Sequence, residues 1–164
     1  MGFWQFLLLV AAAVAVGLTA GLLFGFACAV MPGLSGADDR TFVAAFQGID
    51  RAIVNPLFMA AFIGAVVLPL GAVVLHLGGD QRSVLPWTVA ALAFSLATVA
   101  ITRAVHLPLN AQIKAAGDPD RIADLAAVRA GFEARWVRWN VVRTATSTAA
   151  LACLAVALFY SGQS

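Results

Sequence analysis

An all-α bundle of four membrane-spanning helices, with amphipathic helices in two of its connections, is the fold that the sequence predicts. Three observations predict it. Of 164 residues, 62% are hydrophobic and 11% charged, against about 45–50% and about 25% in soluble domains. Four long windows carry no ionised residue, and the charged residues crowd into two connections where apolar side chains recur at helical spacing. This composition excludes a soluble globule, a disordered chain and a nucleic-acid binder, and a formal net charge of +2 is too small to suit an anionic polymer. The length fits a single integral membrane domain, 1–164. Cys28 and Cys153 sit far apart in apolar runs and offer neither a disulfide framework nor a zinc pattern.

A bilayer core asks for about 20 mainly apolar residues per helix. The uncharged windows are 1–37, 52–79, 83–102 and 144–164. Trimmed by turn residues, they place helices at about 3–31, 56–77, 84–103 and 139–160. The first window is about twice the length of a signal-peptide core and no Lys or Arg precedes it, so it is expected to span the membrane although Ala27-Cys28-Ala29 resembles a cleavage site.

The two connections on the charged side, 33–55 and 107–138, form a helical cap. Ser35-Gly36-Ala37-Asp38 reads as a capping box, after which Phe42, Phe46, Ile49 and Ile53 make an apolar stripe and Gln47, Arg51 and Asn55 line another face. In the second connection, Gly117-Asp118-Pro119-Asp120 is a turn. Leu125, Val128, Phe132, Trp136 and Trp139 then mark an amphipathic helix that runs into the last span. Gly78-Gly79-Asp80 is a short turn on the opposite side. Arg40, Arg51, Arg103, Lys114, Arg121, Arg129, Arg135, Arg138 and Arg143 lie on the cap side, and only Arg82 on the other. The positive-inside rule therefore puts the cap in the cytoplasm and both termini outside.

Gly17, Gly21 and Gly25 share one face of the first helix, suited to packing within the chain or to a homodimer contact. Pro69 predicts a kink that opens a pocket. Thr144, Thr146, Ser147 and Thr148 are expected to bond back to their own helix.

Ionisable groups at membrane depth mark a site by default. At the cap end of the third helix stand Thr102, Arg103, His106 and Asn110; Pro108 is expected to interrupt that helix. Trp136, Asn140, Arg143 and Ser147 line the last helix, and Gln47, Arg51 and Asn55 form a third stripe. Arg129, Arg135 and Arg138 are expected to reach for lipid headgroups, and His76 to be structural. His76 and His106 fall at opposite faces, and no ligand set reaches three, so no metal or haem is expected.

Four stretches carry a family resemblance: Met31-Pro32-Gly33-Leu34; Ile49-Asp50-Arg51-Ala52-Ile53-Val54-Asn55-Pro56; His106-Leu107-Pro108-Leu109-Asn110; and Trp136-Val137-Arg138-Trp139-Asn140-Val141-Val142-Arg143. Together, in this order and spacing, they resemble the anthrone oxygenase-like membrane proteins. Asn55, Pro56, Asn110, Trp136, Asn140 and Arg143 match the family's motif positions, while His106 stands where the family often varies. The resemblance implies a cofactor-independent oxygenase of the aromatic polyketide type, acting on a hydrophobic, anthrone-like aromatic with molecular oxygen. For that chemistry His106, Arg51 and Arg143 are the candidate catalytic residues, His106 as base and the arginines as the positive field. Asn55, Asn110, Trp136, Trp139 and Asn140 are the candidate substrate contacts. Two alternatives stay open: a non-enzymatic accessory or assembly subunit of a membrane complex, and a small-molecule carrier.

Overall fold

The computed structural model describes residues 2–78 and 83–163. Five helices carry the fold: α1 (Phe3–Ser35), α2 (Asp39–Ile53), α3 (Pro56–His76), α4 (Leu85–Ala115) and α5 (Leu125–Ser161). No strand occurs among the described residues. All but α2 are long and apolar enough to cross a membrane. The turn read at Gly78-Gly79-Asp80 falls, beyond Gly78, outside the described residues.

α1 packs against α3 and α5, and α4 packs against the same two, so the spans close into a ring. α2 lies across one end, on α5 and the last turns of α4. The two ends are packed differently. Away from α2 the core is Leu9, Ala12, Val16, Ala65, Ala72, Ala91, Ala150, Leu154 and Ala157. The α1–α3 crossing there depends on two glycines outside the stripe that the sequence pattern marks. A Cβ at Gly64 would lie 3.3 Å from Ala15 Cβ, and one at Gly71 would lie 3.3 Å from Leu8 Cδ2. Of the glycine stripe on α1, Gly17 packs against Leu151, whereas a Cβ at Gly21 or Gly25 would meet nothing within 4 Å. Under α2 the core is aromatic, with Phe26, Phe42, Phe46, Phe132 and Trp136 around Met31, Leu109 and Ile113.

Three boundaries differ from those that the sequence suggests. α1 runs on through Met31-Pro32-Gly33 to Ser35, and α4 runs through Pro108 to Ala115. Each passes its proline after one widened, π-helical turn, Phe26–Val30 before Pro32 and Thr102–His106 before Pro108. A proline lacks the N–H that bonds four residues back, and its ring crowds that carbonyl. The carbonyls concerned, those of Cys28 and Ala104, lie inside the two widened turns. The prolines are thus absorbed as local bulges and do not break the helices. The third difference is the cap of α2. Ser35 Oγ donates back to the Pro32 carbonyl, and Asp38 is the residue that caps, accepting from Thr41 N at 2.9 Å and Thr41 Oγ1 at 2.7 Å. Those bonds hold the Asp38 carboxyl below the usual carboxylate range.

α5 is continuous for 37 residues, as the amphipathic pattern running into the last span predicts; it begins at an Asp124 cap rather than directly after Asp120. Gly117 takes a φ of 88°, a left-handed conformation open to glycine, and turns the chain between α4 and α5. The cap is tied down by two polar groups. Gln47, buried, donates to the Ile113 and Gly117 carbonyls at 2.8 and 3.0 Å. Arg129 does not reach for headgroups. It donates to the carbonyls of Ala37 and Ser35 and pairs with Asp39 and Glu133, clamping the α1–α2 connection onto α5.

Candidate functional site

A cavity of about 340 Å³ opens in the aromatic end of the bundle. All five helices contribute to its wall, with Leu23 and Phe26 from α1, Phe46 and Asp50 from α2, Phe58 and Phe62 from α3, Thr102, His106 and Asn110 from α4, and Trp136 and Arg143 from α5. It does not lie at Pro69, which is buried further along α3. The π turns and the bulky rings hold the helices apart here, where small residues draw them together at the other end.

Arg143 is only 7% exposed. Its guanidinium donates to Asn140 Oδ1 at 2.9 Å and to Thr102 Oγ1 at 3.2 Å, and its carbon lies 5.6 Å from the centre of the Trp136 ring. Asn140 is held in turn, its amide donating to the Leu23 carbonyl at 3.1 Å, just before the first π turn. Arg143 Nε has no partner, and no carboxylate pairs with the guanidinium among the described residues. His106 is 1% exposed, stands edge-on to Trp136 with ring centres 5.2 Å apart, and leaves both ring nitrogens without a partner. Buried polar groups are almost always satisfied, so these three unpaired nitrogens around one cavity point to a ligand.

Asn110 bridges. It accepts from Trp136 Nε1 at 2.9 Å and donates to Asp50 Oδ1 at 2.5 Å. Asp50 is buried and pairs with Lys114 Nζ at 2.7 Å, at the surface of the cap. The indole that faces both His106 and Arg143 is therefore fixed by a chain of polar contacts running out to Lys114.

The structure thus brings together His106, Arg143, Asn110, Trp136 and Asn140, from α4 and α5. It does not bring in the other three. Arg51 is exposed on the outer side of α2 and lines no part of the cavity, because Phe46 and Asp50 take the inward face. Asn55 is the N-cap of α3, its Oδ1 accepting from Phe58 N at 3.0 Å and its amide donating to the Ala52 carbonyl. Trp139 packs, half-buried, on the outside of the aromatic core. Asp50 is the site residue that sequence reasoning missed and helical spacing could have found. Phe42, Phe46 and Asp50 stand at i, i+4 and i+8, an acid on an otherwise apolar face.

His76 lies at the other end of α3, buried, with Nδ1 2.6 Å from the Ala72 carbonyl, in keeping with a structural role. Among the described residues no three His, Cys, Asp or Glu side chains are grouped to hold a metal.

Fold and cavity together define an integral membrane helical protein with a cavity at one end of its bundle. A family model described as anthrone oxygenase matches residues 54–153, and the chain belongs to that family. The match spans α3, α4 and most of α5, and so includes His106, Asn110, Trp136, Asn140 and Arg143. No curated protein and no solved structure matches the chain.

Proposed function

We propose that the protein is an oxygenase that binds a hydrophobic, anthrone-like aromatic in this cavity and oxidises it with O2, without a cofactor. The observation that carries the proposal is the pairing of an unpartnered imidazole with a buried guanidinium that lacks a counter-ion, in one largely apolar pocket. A volume of about 340 Å³ falls within the range of about 300–1,000 Å³ of small-molecule sites.

The substrate supplies the electrons. His106 removes a proton from the methylene carbon between the aryl rings, and the negative charge passes to the carbonyl oxygen of the resulting enolate, where Arg143 stabilises it. The enolate gives one electron to O2, and the radical pair joins in a carbon–oxygen bond. The peroxide anion takes the proton back from the imidazolium. Loss of the second C–H proton with cleavage of the O–O bond then forms the new carbonyl and releases hydroxide, which leaves as water. In sum, one anthrone and one O2 give one anthraquinone and one water. Trp136 offers a flat face for the polycycle, and Asn140 and Asn110 fix Arg143 and Trp136.

The test is oxygen uptake by purified protein with an anthrone, read beside the anthraquinone absorbance. Equimolar consumption and product are expected, and His106→Gln should lower turnover by about 10²-fold or more at unchanged melting temperature. Turnover equal to wild type would remove His106 from the mechanism, and absence of any protein-dependent product would end the oxygenase proposal.

The orientation, with the cap in the cytoplasm of a bacterial inner membrane and both termini outside, rests on the nine-to-one distribution of Lys and Arg. In a variant lacking Cys28 and Cys153, a cysteine at the exposed Gln163 should be labelled from outside intact cells and one at Ala116 should not. The reverse pattern overturns it.

A further inference from the structure

The cavity wall is uneven in a way the oxygenase chemistry does not require. Every lining residue from α1, α5 and the body of α2 that carries the polar site is covered: Phe26, Phe46, Asp50, Trp136 and Arg143 are all buried. The exposed lining residues are confined to one side. They are Val54, just before α3, Ile63 on α3, and Arg103 and Leu107 on α4, with the three apolar ones 67%, 53% and 55% exposed. α3 and α4 are neighbours in the ring and both are membrane-spanning, so a gap between them faces lipid tails, not water. A pocket whose exposed edge is Val54, Ile63 and Leu107, with Arg103 beside them, and whose other lining residues are buried or half-buried opens between two membrane-spanning helices.

The inner end has its own chemistry. Arg143 is buried with neutral partners only, Thr102 and Asn140, and a buried cation without a counter-ion is costly. An anionic oxygen on the ligand would supply that counter-ion. Arg103 stands at the mouth, exposed and with no ion pair among the described residues.

We infer that the ligand is an acidic aromatic dissolved in the membrane, which enters between α3 and α4, seats an ionised hydroxyl or enol oxygen on Arg143 and leaves its other end at the lipid-facing mouth formed by Val54, Ile63, Arg103 and Leu107. A substituent at that end is therefore tolerated at any length, because it runs out among the lipid tails. This rests on the same cavity as the oxygenase proposal and names its substrate class and its route of access, but it needs no turnover.

The experiment uses full-length protein in nanodiscs and, as probe, a hydroxyanthraquinone bearing a long alkyl tail with a photoreactive diazirine on its first carbons, next to the ring. A tailless hydroxyanthraquinone serves as competitor. The tailed and tailless compounds should bind within about threefold of one another, and photolabel should fall on α3 and α4 near the mouth, displaced by the tailless competitor. Leu107→Trp and Ile63→Trp, which fill the mouth, should weaken binding of the tailed probe by about tenfold or more. Val74→Trp, at an equally exposed apolar position nearer the other end of α3, should leave it unchanged. Arg143→Met should weaken the hydroxyanthraquinone about tenfold and leave unsubstituted anthraquinone unaffected. Label spread over the outer faces of α1 and α5, binding lost on adding the tail, or mouth variants that bind as wild type would each overturn the lateral route. Equal loss of charged and neutral ligands in Arg143→Met would overturn the anionic assignment. Should the probe label the mouth while no anthrone is oxidised, the access route stands and the oxygenase proposal falls. Should anthrone be oxidised while the label falls elsewhere, the oxygenase proposal stands and the access route falls.

Discussion

The two ends of the bundle are built from opposite materials. At the end away from α2, alanines and the close approaches at Gly64 and Gly71 bring helices into tight contact around an aliphatic core cluster. At the α2 end, rings of Phe, His and Trp stand between helices that carry widened turns, and the space left over is a cavity edged with His106 and Arg143. The first arrangement gains stability from contact; the second gives some up. The hollow is therefore maintained by the filled half, whose packing can bear the cost of the unpaired nitrogens of His106 and Arg143.

Arg143→Met puts this contrast under the greatest load. In an ion-paired core, removing one charge strands its partner at about 3–5 kcal/mol. Here no carboxylate is stranded, only Thr102 and Asn140, so the variant should melt within about 1 kcal/mol of wild type or above it. Its oxidation rate should nevertheless fall by about 10²–10³-fold, as when one preorganised donor to a developing oxyanion is removed. Parallel measurement of turnover and thermal unfolding checks the pair, and a large drop in melting temperature would make Arg143 a structural residue.

The next effect defines the boundary between site and cap. Arg129 holds carbonyls and carboxylates of the α1–α2 connection, so Arg129→Ala should cost about 2–3 kcal/mol. The neighbouring Arg135, exposed on the same helix, should be silent within about 0.5 kcal/mol when changed to alanine. Denaturant titration in one detergent compares them directly; equal values would show the cap to be held by its apolar face alone.

Last comes Ala12→Leu in the filled half. Ala12 is fully buried, and overpacking there should cost about 1–3 kcal/mol while leaving ligand affinity untouched. If affinity fell with stability, the two halves would not be separable.

Much of this is legible in the sequence. The spans follow from uncharged windows, and the continuity of α5 from an apolar period that passes without a break from cap to membrane. The residues grouped around the cavity stand at spacings that a helix makes obvious, Trp136, Asn140 and Arg143 along α5 and His106 and Asn110 along α4. What the sequence hides has a common cause, the freedom of a helix to adjust locally to its neighbours. Proline removes a hydrogen bond and so reads as a break at Pro32 and Pro108, yet a single wider turn removes the same bond without ending the helix. Spacing along α2 groups Arg51 and Asn55 with the site, but the rotation of a short helix about its axis is set by what it packs on. The side buried against α4 and α5 carries Phe46 and Asp50. Asn55 also lies past the last turn of α2, where a side-chain oxygen serves the next helix as its cap.

The unbroken length of α5 has a mechanical consequence. Thirty-seven residues at 1.5 Å each make a rod of about 55 Å, well beyond the hydrocarbon thickness of about 30 Å. Phe132, Trp136, Asn140 and Arg143 are all mounted on it. A stiff rod answers a change in bilayer thickness by tilting, and tilt of this one moves the floor of the cavity and the roof of the cap as a single lever.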